Sequence, residues 1–172
     1  MENENKPPEK KLMPDLSLEG PKGVGGWLAF LIIILMILSP VANIAMLAND
    51  FREIEMENPI MLHIPAYVQY KWFCWAAVIV ACVISIAAGC LLWKKHEWKS
   101  VRYTISALWL IGPFSIVLVG LYFYMNFGTD MIGGFIKDML GTFTKSMFWA
   151  IVWTAYLLKS KRVRNTYIHQ NG

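Results

Sequence analysis

At 172 residues the chain is long enough for one domain, but 56% of it is hydrophobic and only 16% charged, where a soluble domain carries roughly 25% charged residues. The apolar residues gather into four blocks separated by charged segments, a pattern that excludes a soluble globule and a disordered chain alike. What remains is an all-α polytopic membrane protein, a four-transmembrane-helix bundle.

Residues 1–24 read as a flexible cytoplasmic tail, because Pro7, Pro8, Pro14 and Pro21 interrupt any helix. The first uncharged block, Trp27–Leu47, is too long for the apolar core of a signal peptide, and no A-x-A-like site follows it. It is therefore expected to be a retained span. An outer loop, Ala48–Tyr70, comes next. Its acids Asp50, Glu53, Glu55 and Glu57 lack the spacing of a calcium loop and read as a solvated face. The apolar stretch Pro59–Pro65 is expected to lie on the membrane–water interface or to cap the bundle.

Two further uncharged blocks, Trp72–Trp93 and Tyr103–Met125, match the ~20 residues that cross a bilayer in helical form. Beyond them Ile132, Phe135, Ile136, Met139, Leu140 and Phe143 recur at helical spacing, with Lys137 and Asp138 on the other side. This predicts an outer amphipathic helix before the fourth span. It either turns inward near Gly141 as an interfacial elbow, the expected form, or continues outward as one long helix. The fourth span, 141–158, reaches spanning length only with Lys145 inside it, its stem snorkelling to the surface. The membrane domain is thus 25–158, with spans at about 27–47, 72–93, 103–125 and 141–158, and residues 159–172 form a basic cytoplasmic tail.

Of the 16 Lys and Arg, all but Arg52, Lys71, Lys137 and Lys145 lie in the N-terminal tail, in the short 94–102 loop or in the C-terminal tail. That asymmetry puts both termini in the cytoplasm. The net charge of +4 is explained by attraction of helix ends to anionic lipid. No basic face with interleaved stacking aromatics lies outside the spans, so no nucleic-acid partner is expected.

The first three spans contain no Asp, Glu, Lys, Arg or His, whereas ion-coupled transport ordinarily needs buried ionisable groups. No Ser-His-Asp, Cys-His or metal-ligand spacing surrounds His63, His96 or His169. Accordingly no catalytic residue, cofactor or metal is expected, and the protein is not read as an enzyme. Cys74, Cys82 and Cys90 repeat every eight residues, about 12 Å apart on a helix, too far for a disulfide. Small residues at Ala77, Ala81, Ser85 and Gly89, and at Ser146, Ala150 and Thr154, form faces suited to close helix packing. Pro40 and Pro113 are expected to kink their spans and to free the carbonyls of Met36 and Trp109. Ser39 and Asn43, beside the first kink, either satisfy such groups or line a mid-membrane polar pocket.

The two ends of the membrane region carry a resemblance. Gly25-Gly26-Trp27-Leu28 and the segment from Tyr156 through Ser160, Arg162, Val163, Asn165 and Thr166 to Tyr167 are similar to the bacterial DUF2569 family. The resemblance implies a small, uncharacterised inner-membrane protein of four spans and supplies no catalytic residues. Because both ends fall on the cytoplasmic side, Trp27, Arg162, Arg164, Asn165 and Tyr167 are the candidate contacts for a partner or lipid. The expected role is a non-enzymatic accessory or interaction subunit, in contact with membrane lipids and another membrane or cytoplasmic protein. The alternatives are a small-molecule or lipid transporter or channel, and a membrane enzyme or sensor.

Overall fold

The computed structural model describes residues 25–127 and 132–167, with the side chains of 132–138 and of Asn165 outside that set. Helix α1 runs Trp27–Glu57, α2 Pro65–Lys94 and α3 Trp98–Phe127, followed by α4, Ile132–Lys159, and a short α5, Lys161–Tyr167. The helices exceed the uncharged blocks. α1 continues ten residues past Leu47 and α2 begins seven before Trp72, so most of the expected outer loop is helix. Its polar residues can face water while remaining helical, and the chain turns only where prolines dictate. Pro59 opens a 3-10 turn, Pro59–His63, and Pro65 opens α2, each at the position where a missing N–H costs nothing. Within that turn Met61 packs inward, while Ile60 stays exposed.

Helices α1, α2 and α3 are each long and apolar enough to cross a membrane. Their outward faces are apolar too, with Ile37, Val41, Ile79, Val83, Leu110 and Leu121 all exposed, as lipid-facing surface requires. α4 is not among the three, because Lys145 and its neighbouring Thr and Ser residues dilute the apolar run. The elbow expected at Gly141 is absent: the backbone is helical without interruption from Ile132 to Lys159. Nothing lies within 4 Å of a Cβ built at Gly141, so no packed neighbour holds a bend there. The expected tail over residues 1–24 lies outside the described residues, as do the side chains of Ile132, Phe135 and Ile136.

α2 packs against both α1 and α3, and α3 against α4. The main core joins Leu28, Leu31, Ile32 and Leu35 of α1, Ala88 and Leu92 of α2, Val101 and Ala107 of α3, and Trp153 and Leu157 of α4. It sits at the end of the bundle where α1 begins and α4 ends. A smaller cluster of Phe51, Tyr67 and Cys74 occupies the other end. Small residues set the helix spacing. A Cβ at Gly89 would overlap Met36 Cγ and lie 3.5 Å from the Ile32 carbonyl, and one at Gly112 would lie 2.6 Å from Ser146 Oγ. Ser85 and Gly89 are buried and Ala77 and Ala81 half-buried; on α4 Ala150 is buried, with Ser146 and Thr154 half-buried. Thr154 Oγ1 accepts from the Trp109 indole N–H at 3.2 Å. All three cysteines are free thiols.

Both proline-bearing helices relieve strain by widening a turn. α1 has a π segment at Ile34–Leu38 just before Pro40, and α3 has one at Leu110–Phe114 around Pro113. In α1 the Ser39 N–H bonds the Ile34 carbonyl instead of Leu35, and Pro40 has no N–H to offer. The Leu35 carbonyl therefore loses both nearby backbone donors. Ser85 Oγ, reaching across from α2, donates to it at 2.7 Å. The side-chain-capped acceptor is thus Leu35 rather than the expected Met36, because the π turn shifts the hydrogen-bond register by one residue. In α3, Ser115 Oγ donates to the carbonyls of Ile111 and Gly112, within its own turn.

Candidate functional site

The two terminal motifs meet. Gly25 and Gly26 lead into α1, and Gly26 adopts φ 57°, ψ −133°, a combination open essentially only to glycine. Over this turn lies the Arg162 guanidinium: a Cβ at Gly26 would stand 2.6 Å from Arg162 Nη1, and one at Gly25 would stand 3.5 Å away. The absence of a side chain at Gly26 is what admits the arginine; a Cβ at Gly25 would make an ordinary contact with it. Arg162 Nε is buried and has no hydrogen-bond partner among the described residues.

Arg162 is positioned by α5, which folds back onto the bundle. Val163, Thr166 and Tyr167 are all buried, and Val163 and Tyr167 belong to the main core. Tyr167 carries its hydroxyl to the end of α2, where it donates to the Leu92 carbonyl at 2.6 Å. Its ring stacks on His96 at 5.8 Å. Burial, and then the neighbouring Tyr156, push the Tyr167 phenol from its usual 10 up to about 12, so it stays a neutral donor at physiological pH. Thr166 Oγ1 donates to the Arg162 carbonyl at 2.8 Å, knitting α5 together. The final residues of the motif therefore bolt the C-terminal segment across the ends of α1 and α2.

Of the expected contact residues, Trp27 remains 67% exposed, with Phe30 edge-on to it at 5.7 Å, and Arg164 is exposed. Tyr167 is buried and Arg162 half-buried; Asn165 lies outside the described side chains. Lys159 and Lys161 are also exposed here. The surface presented is an aromatic beside several cations. The helical character of α5 was readable from Val163, Thr166 and Tyr167, which fall at i, i+3 and i+4, a stripe concealed by the surrounding basic residues.

The second candidate, beside the α1 kink, is arranged differently. Asn43 Nδ2 donates to Ser39 Oγ at 3.4 Å, so the two polar side chains engage each other. Cys82 Sγ points to the Pro40 carbonyl at 3.9 Å.

An all-helical chain with three helices able to cross a bilayer and an apolar exterior is a multi-pass membrane protein. The family model described as "Protein of unknown function (DUF2569)" matches residues 21–168, and the chain belongs to that family. No curated protein and no solved structure matches it.

Proposed function

We infer that this is a non-enzymatic interaction subunit of a bacterial inner membrane, crossing it four times with both termini in the cytoplasm. α4 supplies the fourth crossing, with the Lys145 ammonium reaching the outer surface along its own stem. The observation that carries the reading is the closure of the two terminal motifs, Arg162 over the Gly25–Gly26 turn with Tyr167 fastened beneath. A closure of this kind leaves Trp27 and Arg164 exposed and Arg162 half-buried at the same end of the bundle, and guanidinium groups suit carboxylate or phosphate recognition. The membrane interior supports the same conclusion, since the mid-membrane polar groups Ser39 and Asn43 are paired with each other.

Co-purification of the tagged protein in mild detergent tests this. Arg162→Gln combined with Arg164→Gln is expected to preserve membrane insertion and to lose a co-purifying protein or anionic lipid that the parent chain retains. Loss of the cellular phenotype in Asn43→Leu, with the double Gln variant behaving as the parent, would move the site to the mid-membrane pocket and favour a transporter or channel.

A further inference from the structure

The end of the bundle opposite α5 holds a cleft of about 260 Å³ that the proposed function does not use. One face of α1 lines it with Ala48, Phe51, Arg52 and Glu55, and α2 contributes Lys71 and Trp75. Helical rise orders these residues by depth. Ala48 and Trp75 lie where the uncharged stretches begin, while Arg52 and Lys71, four residues along their antiparallel helices, stand about 6 Å further out. An apolar floor therefore underlies a rim that is charged at Arg52, Glu55 and Lys71 and edged by Met56 beyond them.

The charges of that rim do not cancel. Glu55 accepts hydrogen bonds from the Tyr67 hydroxyl at 3.2 Å and from Lys71 Nζ at 2.5 Å, and Lys71 also lies over the Phe51 ring, 5.8 Å from its centroid. Lys71 and Glu55 thus form a fixed, neutral pair. Arg52 is exposed and has no ion pair among the described residues. The remaining acids of this segment, Asp50, Glu53 and Glu57, are exposed and fall on the opposite face of α1 at about 100° per residue. Facing the cleft, one positive charge is left over.

We propose that this cleft seats one glycerophospholipid, its phosphodiester between the Arg52 guanidinium and the Lys71 ammonium and its acyl chain along Ala48 and Trp75. A phosphodiester carries the single negative charge that Arg52 lacks, and the planar guanidinium can hold two of its oxygens. The vertical order, apolar below and cationic about one helical turn above, is that of an acyl chain and its headgroup. Inorganic phosphate shares the headgroup chemistry but has nothing to place on the apolar floor.

Native mass spectrometry of the delipidated full chain, titrated with phosphatidylglycerol, tests the proposal. One lipid adduct is expected to be weakened about tenfold by Arg52→Gln with Lys71→Gln, the loss of charge-assisted hydrogen bonds. Arg52→Gln alone, at an exposed side chain, should weaken it several-fold without touching the Glu55 pair. Ala48→Trp fills the floor, leaves every charge in place, and should also expel the lipid. Arg162→Gln with Arg164→Gln should leave this adduct unchanged. Undiminished binding in Arg52→Gln or in Ala48→Trp would overturn the proposal. Displacement of the lipid by equimolar inorganic phosphate would also overturn it, by identifying the occupant as a free anion.

Discussion

The two ends of the bundle are built by different means. At the terminal end, aliphatic side chains from four helices fill a continuous core, and α5 closes it with a buried hydroxyl on a backbone acceptor. At the opposite end, helices meet through aromatic rings, among them Phe51 of α1 against Tyr67 of α2 at 6.0 Å and Phe73 of α2 stacked on Tyr122 of α3 at 3.9 Å. There a partly exposed Lys71–Glu55 pair stands at the rim of an open cleft. Buried apolar contacts and satisfied buried polar groups stabilise strongly, whereas exposed ion pairs contribute little. The contrast assigns rigidity to the end that carries the sequence motifs and adaptability to the other.

Substitutions should divide along that line. The largest effect is expected from Gly89→Leu, whose side chain would collide with Met36 and approach the Ile32 carbonyl. Overpacking there should cost about 3 kcal/mol, read as a lower Tm in detergent, with Val83→Leu at an exposed position nearly silent. Gly26→Ala should follow at about 2 kcal/mol, because alanine cannot hold φ 57°, ψ −133° without strain.

Tyr167→Phe removes the hydroxyl from the Leu92 carbonyl and should cost about 1–2 kcal/mol by leaving a buried acceptor unpaired. A pH scan sharpens this case. Since the folded phenol titrates near 12 and the unfolded one near 10, its contribution is complete below pH 10 and is lost as pH rises from 10 to 12. Tyr167→Phe should abolish that alkaline loss.

Smaller effects are expected elsewhere. Gly141→Ala, in a continuous helix with open space around it, should raise stability by about 0.5–1 kcal/mol. A loss of stability there would restore the elbow. Glu55→Gln, which weakens the ion pair at the open end, should lower Tm only slightly, because solvent screens an exposed pair. A cost equal to that of Gly89→Leu would erase the distinction between the two ends.

Much of this arrangement was legible in the residues. Uncharged length located α1, α2 and α3, and the pairing of glycine with arginine-bearing motifs marked the ends that meet. Where the reading fell short, tertiary partners decided the outcome. Prolines announced the kinks, but only the placement of Ser85 on α2 reveals that Leu35 is the carbonyl being capped. Helical continuation beyond Leu47 was hidden by Arg52 and the acids, which signal exposure and say little about backbone shape. The cleft arises from Arg52, Lys71 and Trp75 on two helices, so no local pattern in either helix marks it.

The proposed topology puts the closed, basic end in the cytoplasm and the open end outside. Side-specific thiol labelling in intact cells, after replacing Cys74, Cys82 and Cys90 with alanine, measures this directly. Lys161→Cys and Glu57→Cys place single thiols at exposed positions on the two ends. An impermeant reagent added outside should label the Glu57→Cys variant and leave Lys161→Cys untouched until the membrane is opened. Labelling of Lys161→Cys from outside, or protection of Glu57→Cys, would contradict the four-span arrangement and the function assigned to its cytoplasmic face.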